Sequence, residues 1–576
     1  MKVNTFIAVA TCLLVATYVG VMRIQPYKPS DITKCIPSTT LVYFEQKNPV
    51  DSLDSVVFSS LERKILAIDF AAVAKEIGVA EETIAWMHHL AKAAKSIQND
   101  SLIRKLCGNR FALAILPPSD KMQSSQDSAE FLKENLVIIA EPQKLIKVLG
   151  SITSMLTDSV GGVKGTSVQY GHHRILRIVR NGQSYALAAL DDLVIIGQSE
   201  RQLRRCIDTF DGEISSFSDN TELLAFKSSF PAFDNFLVLP FKNIGEYFSA
   251  LLDGYYLGDM AFISRKASSL VGITGFFYGA KKQKSIFKEK MIVRYESQSI
   301  KGMFRDRLAT RPIKPSRFFL ISPKPMFYLW SNSFDSQGFL NYAQGWGKEG
   351  GGDADIVARL KSSVIGKDFK DLPMFGKEIT VIAEQSPVNT PLPLPLAMIF
   401  VPVVDKDTLK ATMLELVDTY DIPVSTEEYD SVEYTFWSQS PQEGLFPLYG
   451  FWGEYFFLGN SVTLLQKIID AKGRGLSLLD IDSVKKDDPG VTEKNNLMVY
   501  SNNIQVINIL EIFLRAFGTI AAIEDRGFAK KARVVIQKII LPLLEEVKIF
   551  DTSVTRSYFT PEMIVVDTYT NISHHP

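Results

Sequence analysis

The strongest constraint on this chain is a repetition of element order on the scale of half its length. Pro37-Ser-Thr-Thr-Leu-Val-Tyr-Phe44 and Ser322-Pro-Lys-Pro-Met-Phe-Tyr-Leu-Trp330 each lead into a β-prone run behind proline. Gly108-Asn-Arg-Phe-Ala-Leu-Ala-Ile-Leu116 and Gly376-Lys-Glu-Ile-Thr-Val-Ile-Ala-Glu384 each set a glycine turn before a strand-like segment. Glycine and proline punctuate strands because one frees φ and the other removes a donor. Strand-then-helix units follow, Leu136 to Gly150 echoed by Ala397 to Val417, and Tyr185 to Asp208 by Leu448 to Asp470. In the latter pair Asp191-Asp192 or Gly453-Glu454 makes a hairpin turn and Gly197 or Gly459 ends the second strand. Ser199 or Ser461 then stands where it can cap a helix by accepting orphan amide hydrogens. Phe236 to Phe248 matches Asn496 to Ile507, and the halves close on Glu289 to Tyr295 and Glu562 to Thr568.

Such repetition is sought first because it decides the whole fold. The expected fold class is α+β: two related halves of mostly antiparallel sheet with packed helices, preceded by an N-terminal membrane helix. The expected divisions are a signal anchor with short linker at 1–29, a first half at 30–300, a linker at 301–314 and a second half at 315–576. Leu61 to Ile77, Glu81 to Ile97 and Phe528 to Leu541 carry helical recurrence of apolar positions. Ser119 to Glu130, Gly161 to Gly171, Ala309 to Pro315, Gly345 to Asp355 and Lys485 to Asn495 read as excursions between elements. The Gly-rich strand-to-helix joints of a Rossmann fold do not occur.

From Phe6 to Met22 the chain runs 17 residues without a charge, at the lower edge of the roughly 17–25 that cross a bilayer. A cleaved signal peptide has an apolar core of about 7–15 residues and a small-x-small site. Here the run continues through Tyr18 and Val21 into Arg23, so an uncleaved signal anchor is expected, with a cleaved signal as the competing reading. Lys2 on one side nearly balances Arg23 and Lys28 on the other, which leaves the positive-inside rule little to act on. The expected placement is a single pass of a bacterial inner membrane with the main body in the periplasm. Lys plus Arg is 63 against 64 for Asp plus Glu, and this balance supplies no field for a nucleic-acid partner. The cysteines, Cys12, Cys35, Cys107 and Cys206, match no zinc or CxxC spacing, and at most one disulfide joins the last three.

Motifs of reaction chemistry are weak. The histidines fall as His88-His89, His172-His173 and His574-His575; neighbours on a helix diverge by about 100°, and no HExxH occurs. Gly350-Gly351-Gly352 lacks the GK[ST] ending of a phosphate loop. Ser461 matches neither a GxSxG elbow nor an SxxK site, and Glu378, Glu384, Asp405 and Glu454 are the carboxylates open to acid/base work. No catalytic or metal-ligating residue and no cofactor is assigned, and ligand-binding residues remain unassigned. The second half is dense in rings, from Phe327, Tyr328, Trp330, Trp346 and Phe400 to Tyr434, Phe436, Trp437, Phe446, Tyr449, Phe451, Trp452, Tyr455, Phe456 and Phe457. These either pack between sheet and helices or line an apolar groove. Thr390 to Pro395 reads as a stiff connector. Ile504 to Phe517 and Val534 to Val547 read as core-facing helices, with an interfacial placement as the alternative.

The apolar amino end, the proline-led strand Ile36 to Phe44, the hairpin into helix at Asp192 to Ile207 and the segment Phe217 to Phe226 together resemble the bacterial domain-of-unknown-function family numbered 3352. The resemblance covers most of residues 30–300 and, more loosely, the second half. It implies an exported or membrane-anchored protein and supplies no catalytic residue. The expected function is therefore a membrane-anchored, exported, noncatalytic scaffold or binding protein of the bacterial envelope. Its partners would be the membrane, through the N-terminal helix, and an envelope protein or hydrophobic ligand. A carrier or sensor of a lipid or other hydrophobic ligand is the alternative, and an envelope polymer hydrolase the third.

Overall fold

A computed structural model describes residues 31–48, 64–78, 109–118, 131–142, 164–241, 272–300, 303–334, 375–437 and 446–573, apart from short gaps at 66, 132–133, 181–182, 231–232, 316–320, 387–393, 420, 487 and 525. Among the described residues twenty strands join in one antiparallel sheet. The first ten are β1 (Val42–Lys47), β2 (Arg110–Ile115), β3 (Leu136–Glu141), β4 (Lys164–Tyr170), β5 (His173–Arg180), β6 (Gln183–Leu190), β7 (Leu193–Gly197), β8 (Asn235–Leu239), β9 (Ile273–Gln283) and β10 (Ile286–Tyr295). The second ten are β11 (Phe327–Ser331), β12 (Ile379–Glu384), β13 (Leu396–Pro402), β14 (Val424–Tyr429), β15 (Val432–Trp437), β16 (Leu448–Trp452), β17 (Tyr455–Gly459), β18 (Leu497–Asn502), β19 (Phe550–Phe559) and β20 (Met563–Ile572).

Hydrogen-bonded neighbours run β4-β5-β6-β7-β3-β2-β1-β8-β9-β10 through the first ten strands. They continue β20-β19-β18-β11-β12-β13-β17-β16-β15-β14 through the second ten. The two runs meet where β10 pairs with β20, in register from Ile286↔Asn571 to Arg294↔Met563. Read outwards from that seam, the strand order is the same on both sides.

The expected fold class is corrected by this arrangement. The expected α+β body, two related halves of mostly antiparallel sheet with packed helices, gives way to one antiparallel sheet running through the described residues, with the helices added to its faces. A half that stopped at β10 or β20 would expose a row of unpaired N–H and C=O groups; the two last strands satisfy each other instead. Turn residues and alternation mark strands but do not say which edge closes on which. The N-terminal membrane helix expected within residues 1–29 falls outside the described residues. Among the described residues no helix is long and apolar enough to cross a membrane. Two smaller readings also change: Gly161 to Gly171, read as an excursion, holds β4, and the connection at 301–314 carries the short helix Met303–Leu308. Of the two helical stretches expected early in the chain, Leu61 to Ile77 holds the helix Phe70–Glu76, and Glu81 to Ile97 lies outside the described residues.

Side chains alternate across the sheet, so a strand covered on both faces feeds two cores. In the second half Tyr328, Ile382, Met398, Phe400 and Phe457 turn to one face, beneath the helix Val462–Gly473 with Leu464, Leu465 and Ile468. Their neighbours Phe327, Ala383 and Ala397 turn to the other, under Val506, Ile509 and Phe513 of the helix Asn503–Glu524. The first half repeats the first arrangement, with Tyr43, Ala114 and Ile139 beneath Leu203, Cys206 and Ile207 of the helix Glu200–Phe210. Burying each large apolar side chain in these layers contributes about 1.5–3 kcal/mol.

Candidate functional site

Where β10 ends at Tyr295, the chain leaves the first half and meets the turn that joins β19 to β20. The backbone N–H of Tyr295 donates to the Glu562 carbonyl at 2.9 Å, its hydroxyl donates to the Thr560 carbonyl at 2.6 Å, and the Ser297 hydroxyl donates to the Pro561 carbonyl. Burial pushes the Tyr295 phenol above its ordinary range, so it stays a donor. On the far side lies the connection itself, the helix Met303–Leu308 followed by Ala309 to Pro312. Asparagines hold it in place. Asn332 Nδ2 donates to the Arg311 carbonyl and Asn496 Nδ2 to the Thr310 carbonyl, both at 3.0 Å, while Asn496 Nδ2 also reaches Asn332 Oδ1 at 2.9 Å. Ile313 and Asn495 exchange backbone hydrogen bonds of 3.1 and 2.8 Å. Asn495 and Asn496 are fully buried, so this wall is anchored in the body of the second half.

Between the two walls is an open cleft of about 540 Å³, within the range of small-molecule sites. Its apolar lining is Ile300, Leu308, Ala309, Pro312, Phe559 and Pro561. Among the described residues, the charged groups in that lining are Arg305 and Arg311, and no carboxylate lines it. Both arginines are exposed. The hydroxyls are already engaged: Ser297 is bonded to Pro561, and Thr560 Oγ1 accepts the Met563 N–H at 3.2 Å. The cleft thus offers shape, apolar contact and positive charge rather than an activated nucleophile. A neighbouring recess of about 530 Å³ shares Tyr295, Ser297, Gln298 and Pro561. There Arg294 lies 3.5 Å from Glu222 and 3.3 Å from Glu562, so its charge is compensated within the fold.

The residues singled out for chemistry do not converge. His173 Nε2 lies 3.0 Å from Asp211 Oδ1, with the Phe210 ring edge-on at 6.1 Å, and His172 is exposed beside it. This pair ties the start of β5 to the end of a helix and lies in neither recess. Ser461 accepts the Leu464 N–H at 3.2 Å and is a helix cap. Glu384 is buried, accepts from the Ser322 hydroxyl and meets Lys467 Nζ at 2.6 Å. Asp405 caps the helix Lys406–Thr419 by accepting the Thr408 N–H at 3.0 Å; the Thr408 hydroxyl and amide bonds hold its carboxyl below the ordinary range. Glu454 sits in the β16–β17 turn, where its carbonyl accepts the Val403 N–H, and Glu378 precedes β12. None of these four carboxylates lines either recess. His88, His89, His574, His575, Gly350, Gly351, Gly352 and Trp346 lie outside the described residues. Among the described residues no group of three or more His, Cys, Asp and Glu is placed to hold a metal ion.

Among the described residues the central rings of the second half are core, while Phe436, Trp437, Phe446, Phe451 and Trp452 are half-buried. Tyr328, Trp330, Phe400, Tyr434 and Phe457 are fully buried or nearly so, with Phe400 5.9 Å from Phe457 and 6.4 Å from Trp452 between ring centres. Sequence reasoning missed the cleft because it took Ala309 to Pro315 as a linker. The available signal was the pair Arg305 and Arg311 on either side of Leu308, followed by Pro312.

No family model matches the chain, and no curated protein matches it. Among solved structures, crystal form I of TP0453 is similar over 46% of this chain and 79% of its own, at 10% identity and a TM-score of 0.22. Crystal form IV of TP0453 is similar over 46% and 81%, at 12% identity and a TM-score of 0.23. A likeness of that degree assigns no role to the cleft.

Proposed function

We propose that the protein is a noncatalytic, membrane-anchored binding protein or scaffold of the bacterial envelope, its body exported and its ligand or partner held at the seam between the halves. The supporting observation is the cleft beside Tyr295. Its walls come from the end of β10, the β19–β20 turn and the connection between the halves, and among the described residues it carries two guanidinium groups without a facing carboxylate on a mostly apolar surface. A carrier that encloses its whole ligand calls for a closed apolar chamber, whereas this cleft opens to solvent and can hold a ligand only in part, so the binding-protein reading ranks first. The apolar run Phe6 to Met22 motivates the anchor.

Mass spectrometry of the full-length protein, purified gently from native membranes, tests the proposal. An intact Met1 end with a stoichiometric copurifying component is expected. A mature chain beginning after Met22 would remove the anchor, and soluble fragments released from envelope polymer by the purified protein would remove the noncatalytic reading.

A further inference from the structure

The geometry points to a ligand class for the seam cleft: a single-chain amphiphile with an anionic head, carboxylate or phosphate, its alkyl chain on Ile300, Leu308, Pro312 and Phe559 and its head between Arg305 and Arg311. This deepens the binding-protein reading and rests on it. Three features select the class. Most of the surface that the lining presents is apolar, which suits an alkyl chain because each buried methylene contributes about 0.8 kcal/mol. Its formal charges are both positive, and neither guanidinium has an ion-pair or hydrogen-bond partner among the described residues. The neighbouring recess supplies the contrast, since Arg294 there is bracketed by Glu222 and Glu562 and offers an incoming anion no uncompensated charge. A guanidinium fork matches carboxylate and phosphate oxygens in planar, two-point fashion. The cleft is also preorganised, because the backbone carbonyls of Thr310 and Arg311, which flank the head position, are fixed by Asn496 and Asn332.

The test uses the full chain in zwitterionic nanodiscs with three photoactivatable probes of one chain length: a diazirine dodecanoate, a dodecyl phosphate and a dodecanol. Cross-linked peptides are mapped by mass spectrometry. The two anionic probes are expected to label residues 295–312 and 559–561, and the alcohol to label them far less. An Arg305→Gln/Arg311→Gln double variant is expected to lose labelling by about tenfold or more, the scale of charge-assisted hydrogen bonds. Both side chains are exposed, so its thermal unfolding should match that of the parent and exclude misfolding as the cause. Leu308→Trp, which fills the cleft, should block labelling with both arginines kept. Equal labelling by the alcohol, wild-type labelling of the double variant, or labelling spread away from these segments would overturn the assignment. Competition separates the two sources of such a head: suppression by phosphatidylglycerol in the nanodisc supports a bilayer lipid, and its absence supports a free amphiphile. Should all probes fail while another component stays bound in native membranes, the ligand class falls and the binding-protein reading stands.

Discussion

At the scale of single residues the two halves use matched positions differently. Ser199 and Ser461 stand at the same place before a helix, yet Ser461 accepts the Leu464 N–H while Ser199 makes no side-chain cap bond. Ser461→Ala should therefore cost about 1 kcal/mol and Ser199→Ala much less, measured as the difference in urea midpoint between each variant and the parent. The sequence shows both serines but not which hydroxyl rotates onto an amide. The glycines ending β7 and β17 differ likewise. A Cβ at Gly197 would meet the flexible end of Leu203 at 2.8 Å, whereas at Gly459 it would collide with Met398 Sδ and lie 2.8 Å from the Ala397 carbonyl. Gly459→Ala should destabilise by about 1–3 kcal/mol and Gly197→Ala by less, read from the same unfolding curves. Cys35 and Cys206 are free and fully buried, and burial pushes the Cys206 thiol up to about 12. A neutral thiol favoured by the fold contributes stability below the unfolded value of about 8.5 that is lost as pH rises toward the folded one. Maleimide should thus spare both in the native protein, and unfolding midpoints should fall from pH 8.5 upward; prompt native labelling of Cys206 would contradict its burial.

At the scale of elements, alternation and turn chemistry made much of the strand inventory legible. Leu136 to Glu141, Leu193 to Gly197 and Leu448 to Trp452 are strands where the residues say so, and the turn at Asp191 has the positive φ its position requires. The failure at Gly161 to Gly171 has a physical cause: Lys164–Tyr170 is the last strand of the sheet, paired on one side, with Gly165, Thr166 and Ser167 exposed. A strand at that position needs few apolar residues and therefore leaves no hydrophobic trace. Long-range charge placement was equally invisible. Asp567 on β20 receives Arg556 Nε from β19 at 3.0 Å and Lys290 Nζ from β10 at 3.2 Å, and Arg556 also reaches Glu493 and the Gly490 carbonyl. Asp567 is 7% exposed, so removing it takes the carboxylate from Lys290 in a largely dry layer and leaves Arg556 with Glu493 alone as its counter-charge. Asp567→Ala should cost about 3 kcal/mol, well above the 0.2–1 kcal/mol of an exposed pair. Equilibrium unfolding of D567A, K290M and the double variant checks this: in the double variant the loss should be smaller than the sum of the two single losses, because the partners share one interaction.

At the scale of the whole molecule, the decisive contact is the one that the repeated element order does not specify. Each half carries the same outward strand order, and a duplicated chain of that kind can fold as two bodies on a tether or close its last strands on each other. The second outcome leaves β4 and β14 as the two open ends and removes both edges at the centre. Lys290 pairs with Asp567 at the middle of the seam ladder, so charge complementarity acts at the point where the halves join. Protection of backbone amides follows the number of neighbours a strand has and the depth of the core behind it. In hydrogen exchange β10 and β20 should therefore be as slow as β1 and β11, while β4 and β14 exchange fastest. Lys290→Glu sets a carboxylate against Asp567, and like charges facing each other across strands are destabilising. It should speed exchange in β10 and β20 together and leave β1 and β11 slow. If the wild-type seam already exchanged at the rate of the two ends, the halves would be separate bodies, and the cleft at Tyr295, whose walls come from both, would lose its frame.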